Sequence, residues 1–219
     1  MEWQTDEQLM TLIRTELYTA VIGDILDGHG YTRQFLPPEI QPLHPDMFLV
    51  GRAMPVLEAD VFDDKDPYGL MFDALDDLKP GELYVAVGGS ARYAMWGELM
   101  STAARARGAT GALLAGSIRD TKGILAMNYP VFCTGRYAQD QKGRGRIIDY
   151  RVNIEIGGVR IQPGTMLIGD LDGVIAVPRE VEAEVFSEAL NKARTENVIR
   201  AELEQGMLAS AAFKKYGIL

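Results

Sequence analysis

The sequence predicts a mixed α/β fold, and three observations predict it. Residues 83–134 alternate short apolar strands with helices, the pattern of a parallel α/β layer. Residues 147–177 are short apolar runs broken by glycine and aspartate turns, which read as β structure. Both ends of the chain carry helical periodicity. No repeat, low-complexity tract or linker interrupts the 219 residues, so a single domain over 1–219 with N- and C-terminal helices is expected.

The elements follow in order. Thr5 with Gln8 fits a capping box, and Leu9, Leu12, Ile13 and Leu17 share one helix face. A short helix is expected over Ala20–Leu26, stopped by Gly28 and Gly30. Four prolines make Phe35–Asp46 a loop. Val50–Ala59 reads as a strand, with Pro55 implying an edge or a bulge. Residues 60–68 are acidic and irregular, and Leu70–Leu78 is a short helix. Leu83–Val87 is a strand ended by Gly88-Gly89, and Tyr93–Arg107 reads as a helix closed by Gly108. Strands at Ala109–Ala115 and Val131–Thr134 flank a helix at Thr121–Met127. One strand, Ile147–Ile156, is expected to turn at Gly157-Gly158 into Val159–Gln162. Thr165–Gly169 and Val174–Val177 follow, then a long helix over Glu180–Gln205 and a last one over Ala209–Tyr216.

Composition narrows the function. The chain has 22 Lys and Arg against 31 Asp and Glu, a net charge of −9. That argues against nucleic-acid and anionic-lipid partners, which need surplus positive charge. The lone Cys133 excludes an intrachain disulfide and a thiolate zinc cage. The two histidines, His29 and His44, leave little for imidazole chemistry. The acidic opening lacks an apolar signal core, and no apolar run approaches the ~20 residues needed to span a bilayer. A cytoplasmic protein is expected.

The chemistry concentrates between Gly88 and Asp120. Ligands in α/β sheets bind beyond the carboxyl ends of strands, and two loops lie there. Gly88-Gly89-Ser90 leads toward Gly97-Glu98-Leu99-Met100, a helix region suited to anions. The second loop carries Arg119 beside Asp120. Arginine pairs bidentately with carboxylates, and an aspartate at a strand end can hold a hard divalent cation. The alternative is a surface ion pair with no chemistry.

Glu98, twenty intervening residues and Arg119-Asp120 resemble the signature of the class II 4-hydroxy-4-methyl-2-oxoglutarate aldolase family, which also includes the regulator of RNase E activity A. Ala94-Met95-Trp96-Gly97-Glu98-Leu99-Met100, Arg107–Gly111, Pro163-Gly164, Asp172-Gly173-Val174 and Phe213–Gly217 extend the likeness over most of the chain. The resemblance implies a three-layer β/β/α sandwich like the swivelling domain, assembled as a trimer or hexamer. It implies that Arg119 binds a pyruvoyl carboxylate and that Asp120 ligates Mg²⁺ or Mn²⁺. Glu98 would hold a metal-bound water, and backbone amides from Gly97 to Met100 would hold the substrate. Glu196 is the match for a glutamate supplied by a neighbouring subunit. Ser90 and Ala115 depart from the family pattern, where aspartates are common.

Other candidates have simpler readings. Lys142–Arg146 is a basic loop that could reach a second carboxylate or lie in solvent. Asp170 and Asp172 read as turn residues rather than a metal pair. Trp96 and Tyr93 read as packing residues, Cys133 as buried, His29 as part of a turn and Lys122 as solvated. Ser117 has no histidine partner in sequence. The expected function is a metal-dependent lyase releasing pyruvate from small oxo-acids, with oxaloacetate decarboxylation possible. The alternatives are a ribonuclease-binding regulator and a lyase for a sugar-derived oxo-acid.

Overall fold

Thr5 caps the first helix, α1 (Asp6–Glu16), by accepting the Gln8 amide at 3.3 Å. The reciprocal half of the capping box lands one residue early, since Gln8 Oε1 takes the N–H of Gln4. The computed structural model describes residues 2–63 and 65–217; Met1, Asp64, Ile218 and Leu219 lie outside it, so the acidic stretch 60–68 is seen without Asp64. The second helix, α2 (Thr19–Gly28), is capped from afar: Asp170 accepts both the N–H and the hydroxyl of Thr19 at 2.7 Å. Asp170 also accepts the Asp172 N–H, so this pair is the turn that the sequence implied.

After the two-residue β1 (Gln41–Pro42) comes β2 (Leu49–Asp60), the longest strand described. Pro55 is not at a sheet edge. One side of β2 pairs in parallel with β3 (Glu82–Val87), which follows the short helix α3 (Met71–Asp76). On its other side β2 pairs with one strand up to Arg52 and another from Val56. Pro55 falls between these two partners, where its missing N–H removes no ladder bond. The expected bulge lies further on, between Leu57 and Glu58.

The segment after β3 differs from expectation. Instead of one helix over Tyr93–Arg107, there is a strand, β4 (Ala94–Trp96), and a shorter helix, α4 (Glu98–Ala106). Ala94, Met95 and Trp96 are all buried, and β4 adds to the end of β5 (Gly111–Ile118) in parallel. Three consecutive buried positions suit a covered strand better than a one-sided helix. The helix α5 (Thr121–Ala126) then leads to β6 (Val131–Arg136). The expected parallel unit is present: β3 pairs β5 and β5 pairs β6, both parallel.

The expected strand over Ile147–Ile156 is broken in two. β7 (Gly145–Tyr150) pairs with β2, and Arg151 turns left-handed at φ 55 before β8 (Ile154–Ile156). Arg151 donates its N–H to Pro55 and its guanidinium to Asp77 and Glu82, which holds this unusual backbone. β8 and β9 (Val159–Ile161) form the separate hairpin. β10 (Met166–Asp170) and β11 (Gly173–Val177) complete the large sheet, whose order is β1-β6-β5-β3-β2-β10-β11. The segment around Phe35 bridges to β11 while β1 pairs β6, so one stretch of chain touches both sheet edges and nearly closes it.

The long helix α6 (Glu182–Glu204) and α7 (Ala209–Tyr216) end the chain as expected. Strand periodicity sorts two cores. Met166, Ile168, Ile175 and Val177 face α1, α2 and α6, whereas Leu167, Val174 and Ala176 face the larger core with β3, β5, β6 and the β8–β9 hairpin. The outer helices are also pinned by charge. Arg52 on β2 donates to Asp6 of α1 at 2.9 Å and to Glu182 of α6 at 2.8 Å. No helix among the described residues is long and apolar enough to cross a membrane.

Candidate active site

Two strand ends meet at Gly97 and Asp120. Arg119 donates its N–H to the Trp96 carbonyl at 2.9 Å, which ties the second loop to the end of β4. Trp96 is buried, as expected of a packing residue, and donates its indole N–H to Ser101 at 2.7 Å. The Ser101 hydroxyl in turn donates to the Gly97 carbonyl at 3.1 Å. The start of α4 is therefore held from below by buried hydrogen bonds. Asp120 is left-handed, φ 57 and ψ 31, a conformation that aspartate tolerates better than most residues. Its Oδ2 accepts the Glu98 N–H at 3.4 Å. Gly97 has no β-carbon because one would stand 2.7 Å from that oxygen.

Arg119 is loosely held. Its Nε lies 3.7 Å from Asp120 Oδ2 and its Nη2 3.4 Å from Asp140 Oδ1, with the side chain 38% exposed. Exposed pairs at these distances contribute about 0–1 kcal/mol, so an incoming carboxylate can compete for the guanidinium.

Arg119 and Asp120 open onto a cleft of about 320 Å³. Gly97, Leu99 and Met100 line it from the start of α4, and Met71, Phe72 and Leu75 from α3. Tyr68, Asp140 and Gln141 close its polar end. Sequence reasoning missed these three; Asp140 and Gln141 sit in an aperiodic loop read only for its basic residues. Tyr68 lies 3.5 Å from Asp140. Burial, and then the Asp140 charge, push the Tyr68 phenol above its ordinary value. Gln141 is buried, and its Nε2 has no hydrogen-bond partner among the described residues. A second hollow of about 280 Å³ lies across Arg119 and Asp120, with Arg136 and Tyr137 on its wall.

Three sequence candidates lie apart from the cleft. Glu98 begins α4, but its carboxylate turns away to accept the Thr102 hydroxyl at 3.1 Å, beside Gly123. Glu196 sits on α6, where it accepts the Tyr18 hydroxyl and lies 3.8 Å from Lys192. Ser90 donates its N–H to Asp60, so the first glycine loop folds over β2 rather than into the cleft. The basic loop is tied inward too. Arg144 donates to the Asp140 and Lys142 carbonyls, and Arg146 pairs with Asp63 at 2.9 Å. Lys122 is exposed, and Cys133 is buried with its thiol pushed up by desolvation. His29 ends α2 and faces Glu188 at 3.2 Å.

Beneath the first loop lies a buried carboxyl group that the sequence did not mark. Glu58 is 2% exposed, and neither carboxyl oxygen has a hydrogen-bond partner among the described residues. Burial pushes it up to about 8. Tyr93 and Tyr84 face it, and a β-carbon on Gly145 would collide with both Glu58 and Tyr93.

The donors around Asp120 are oxygens. No three His, Cys, Asp or Glu side chains cluster as a metal cage among the described residues. A magnesium ion does not need such a cage, since it is commonly held by one or two carboxylates with water and substrate oxygens completing the shell. The half-exposed Asp120 carboxylate at the cleft mouth suits that habit.

The fold and this strand-end site define a mixed α/β protein with a half-exposed arginine beside a carboxylate oxygen donor. The RraA-like (Aldolase/RraA) family model matches residues 19–176, and the chain belongs to that family. A protein of Halalkalibacterium halodurans, named provisionally as a 4-hydroxy-4-methyl-2-oxoglutarate aldolase, is 30% identical over 96% of this chain and 95% of its own length. Protein DlpA of Legionella pneumophila is 28% identical over 90% of this chain but only 32% of its own length. Among solved structures, an uncharacterized protein from Pseudomonas syringae pv. tomato superposes with a TM-score of 0.86 at 28% identity, covering 99% of this chain and 97% of its own. Streptomyces coelicolor RraAS2, described as an unusual member of the RNase ES inhibitor RraA protein family, shares the fold with a TM-score of 0.79 at 23% identity, over 91% of this chain and 98% of its own.

Proposed function

We propose that this chain is a divalent-metal-dependent lyase that releases pyruvate from small 4-hydroxy-2-oxo acids by retro-aldol cleavage, and that the same site decarboxylates oxaloacetate. The observation that carries the reading is the placement of Arg119 and Asp120 against the first turn of α4, at the mouth of one cleft. The name of the Halalkalibacterium relative supports the aldol chemistry.

Arg119 binds the substrate carboxylate, and the unfilled N–H groups of Leu99 and Met100 face the 2-oxo oxygen. Asp120 would hold Mg²⁺ or Mn²⁺ directly; Glu98, whose carboxylate here turns to Thr102, would have to swing back to reach it through water, and Glu196 of a second copy would complete the site in a homotrimer or hexamer. When bound, the cation would supply Lewis-acid stabilisation of negative charge on the 2-oxo group. Asp140, beside Arg119 and Tyr68, is the carboxylate we assign to take the proton of the 4-hydroxyl. As that proton leaves, C4 becomes a carbonyl and the electron pair of the C3–C4 bond passes into the pyruvate enolate. The enolate then takes a proton at C3, so the reaction is neutral in protons overall. Decarboxylation of oxaloacetate leaves the same enolate with carbon dioxide as the other product.

The test measures pyruvate from 4-hydroxy-4-methyl-2-oxoglutarate and from oxaloacetate, with Mg²⁺ and with EDTA. Turnover that EDTA abolishes, and that Arg119→Ala and Asp120→Ala each lose, is expected. Turnover indifferent to all three would sink the proposal.

A further inference from the structure

The cleft has one cation at one end and hydrocarbon along its length. Of the described side chains that line it, only Arg119 is positive. A substrate anchored by its carboxylate on Arg119 and by its oxo group on the start of α4 must lay its remaining atoms between α3 and α4. There it meets Met71, Phe72, Leu75, Leu99 and Met100. Asp140, at the polar end, adds negative charge beside the path. A second carboxylate laid along that wall would shed water against carbon and face that charge, with no further positive side chain among the described residues lining the cleft, an unfavourable transfer. An alkyl or aryl group would gain from the same wall. Gln141, buried and with no partner at Nε2 among the described residues, offers a neutral donor for a substrate oxygen at this end of the cleft.

We propose, resting on the lyase reading above, that the preferred substrate is a 4-hydroxy-2-oxo acid whose C4 carries an apolar substituent, so that pyruvate leaves with an aliphatic or aromatic aldehyde or ketone. A cleft of about 320 Å³ is large enough for such a molecule and too small for a polymer. The competing placement is the hollow across Arg119, where Arg136 could meet a second carboxylate. Arg136 already donates to the Leu43 carbonyl at 3.3 Å, and that hollow lacks the α4 residues which face the 2-oxo group.

The experiment compares kcat/KM with Mg²⁺ for 4-hydroxy-2-oxoheptanoate, 4-hydroxy-2-oxo-4-phenylbutanoate and 4-hydroxy-4-methyl-2-oxoglutarate. The two apolar substrates are expected to exceed the dicarboxylate at least tenfold, and Phe72→Arg to narrow that gap at least tenfold. A dicarboxylate preference that Arg136→Ala removes would overturn the proposal while leaving the lyase reading intact. A readout without turnover separates the two further. At equal concentration, 2-oxoheptanoate is expected to raise the melting temperature and 2-oxoglutarate to leave it unchanged, with the shift lost in Phe72→Arg. The reverse order would overturn the apolar assignment whether or not pyruvate is ever released. Stabilisation by 2-oxoheptanoate with no cleavage of any substrate would overturn the lyase reading alone.

Discussion

A β-carbon placed on Gly97 would stand 2.7 Å from Oδ2 of Asp120, so the absence of one atom sets how close the first turn of α4 comes to the second loop. Gly97 itself is extended, φ −153 and ψ −175, a conformation open to any residue. Its constraint is therefore space and not backbone freedom. Gly97→Ala is expected to push Asp120 aside and to lower kcat/KM for pyruvate release at least ~10-fold, as small displacements of catalytic groups do. The melting temperature should fall by only about 2–4 °C. Unchanged kinetics in a folded Gly97→Ala protein would show that the approach is incidental.

Charge and geometry can be separated at the neighbouring position. Asp120→Asn keeps the left-handed backbone, which asparagine also tolerates, but removes the anionic ligand. Its kcat/KM should fall at least ~100-fold, with folding retained. Arg119→Lys keeps the charge and loses the planar fork, so a tenfold or greater rise in KM is expected. Steady-state kinetics at saturating Mg²⁺ read both, and wild-type behaviour of Asp120→Asn would remove the metal from the mechanism.

Glu58 should make stability depend on pH. Its carboxyl is held up to about 8 when folded, against 4.5 in the open chain. Between those values the folded protein keeps a proton that the unfolded chain releases. The stabilisation is thus full below about pH 4.5 and is lost as pH rises through about 8. It amounts to at most about 5 kcal/mol, at about 1.36 kcal/mol for each pH unit. Melting temperatures from pH 5 to 9 should decline for the wild type and flatten for Glu58→Gln. Parallel profiles would show that the residue does not titrate in this range.

Glu196 has a partner inside its own chain, the Tyr18 hydroxyl, which burial and the Glu196 carboxylate push up to about 12. If Glu196 also serves a neighbouring copy, the two roles separate by mutation. Tyr18→Phe should cost about 1 kcal/mol of stability for one lost hydrogen bond and leave pyruvate release within about twofold. Glu196→Gln should lose at least ~10-fold in activity. Equal activity in both variants would confine Glu196 to holding α2 against α6.

Much of this architecture was legible because its signals are local. The β3–α–β5–α–β6 alternation, the glycine stops and the Arg119-Asp120 pair at a strand end all lie within short windows of sequence. What failed was decided at a distance. Ala94–Trp96 has the composition of a helix, and only the exposed end of β5 makes it a strand. Pro55 reads as an edge residue because nothing nearby reveals that β2 changes partners there. Arg151 breaks the strand because Asp77 and Glu82, far away in sequence, hold its guanidinium. The carboxylate that joins Arg119 in the cleft, Asp140, carries no periodic signal at all. Glu98 was marked by the family resemblance, which does not tell where its side chain points.

The change of partner along β2 also sets an order of synthesis. One flank of that strand is satisfied by β3, about 30 residues later in the chain. The other flank waits for Gly145–Tyr150 and then for Met166–Gly169. During translation the nascent chain therefore carries a half-paired strand while roughly 60 to 80 further residues are added. An open strand edge of that kind invites pairing with another chain. Pro55, which offers no donor on that waiting flank, interrupts the edge during the interval when it is most exposed.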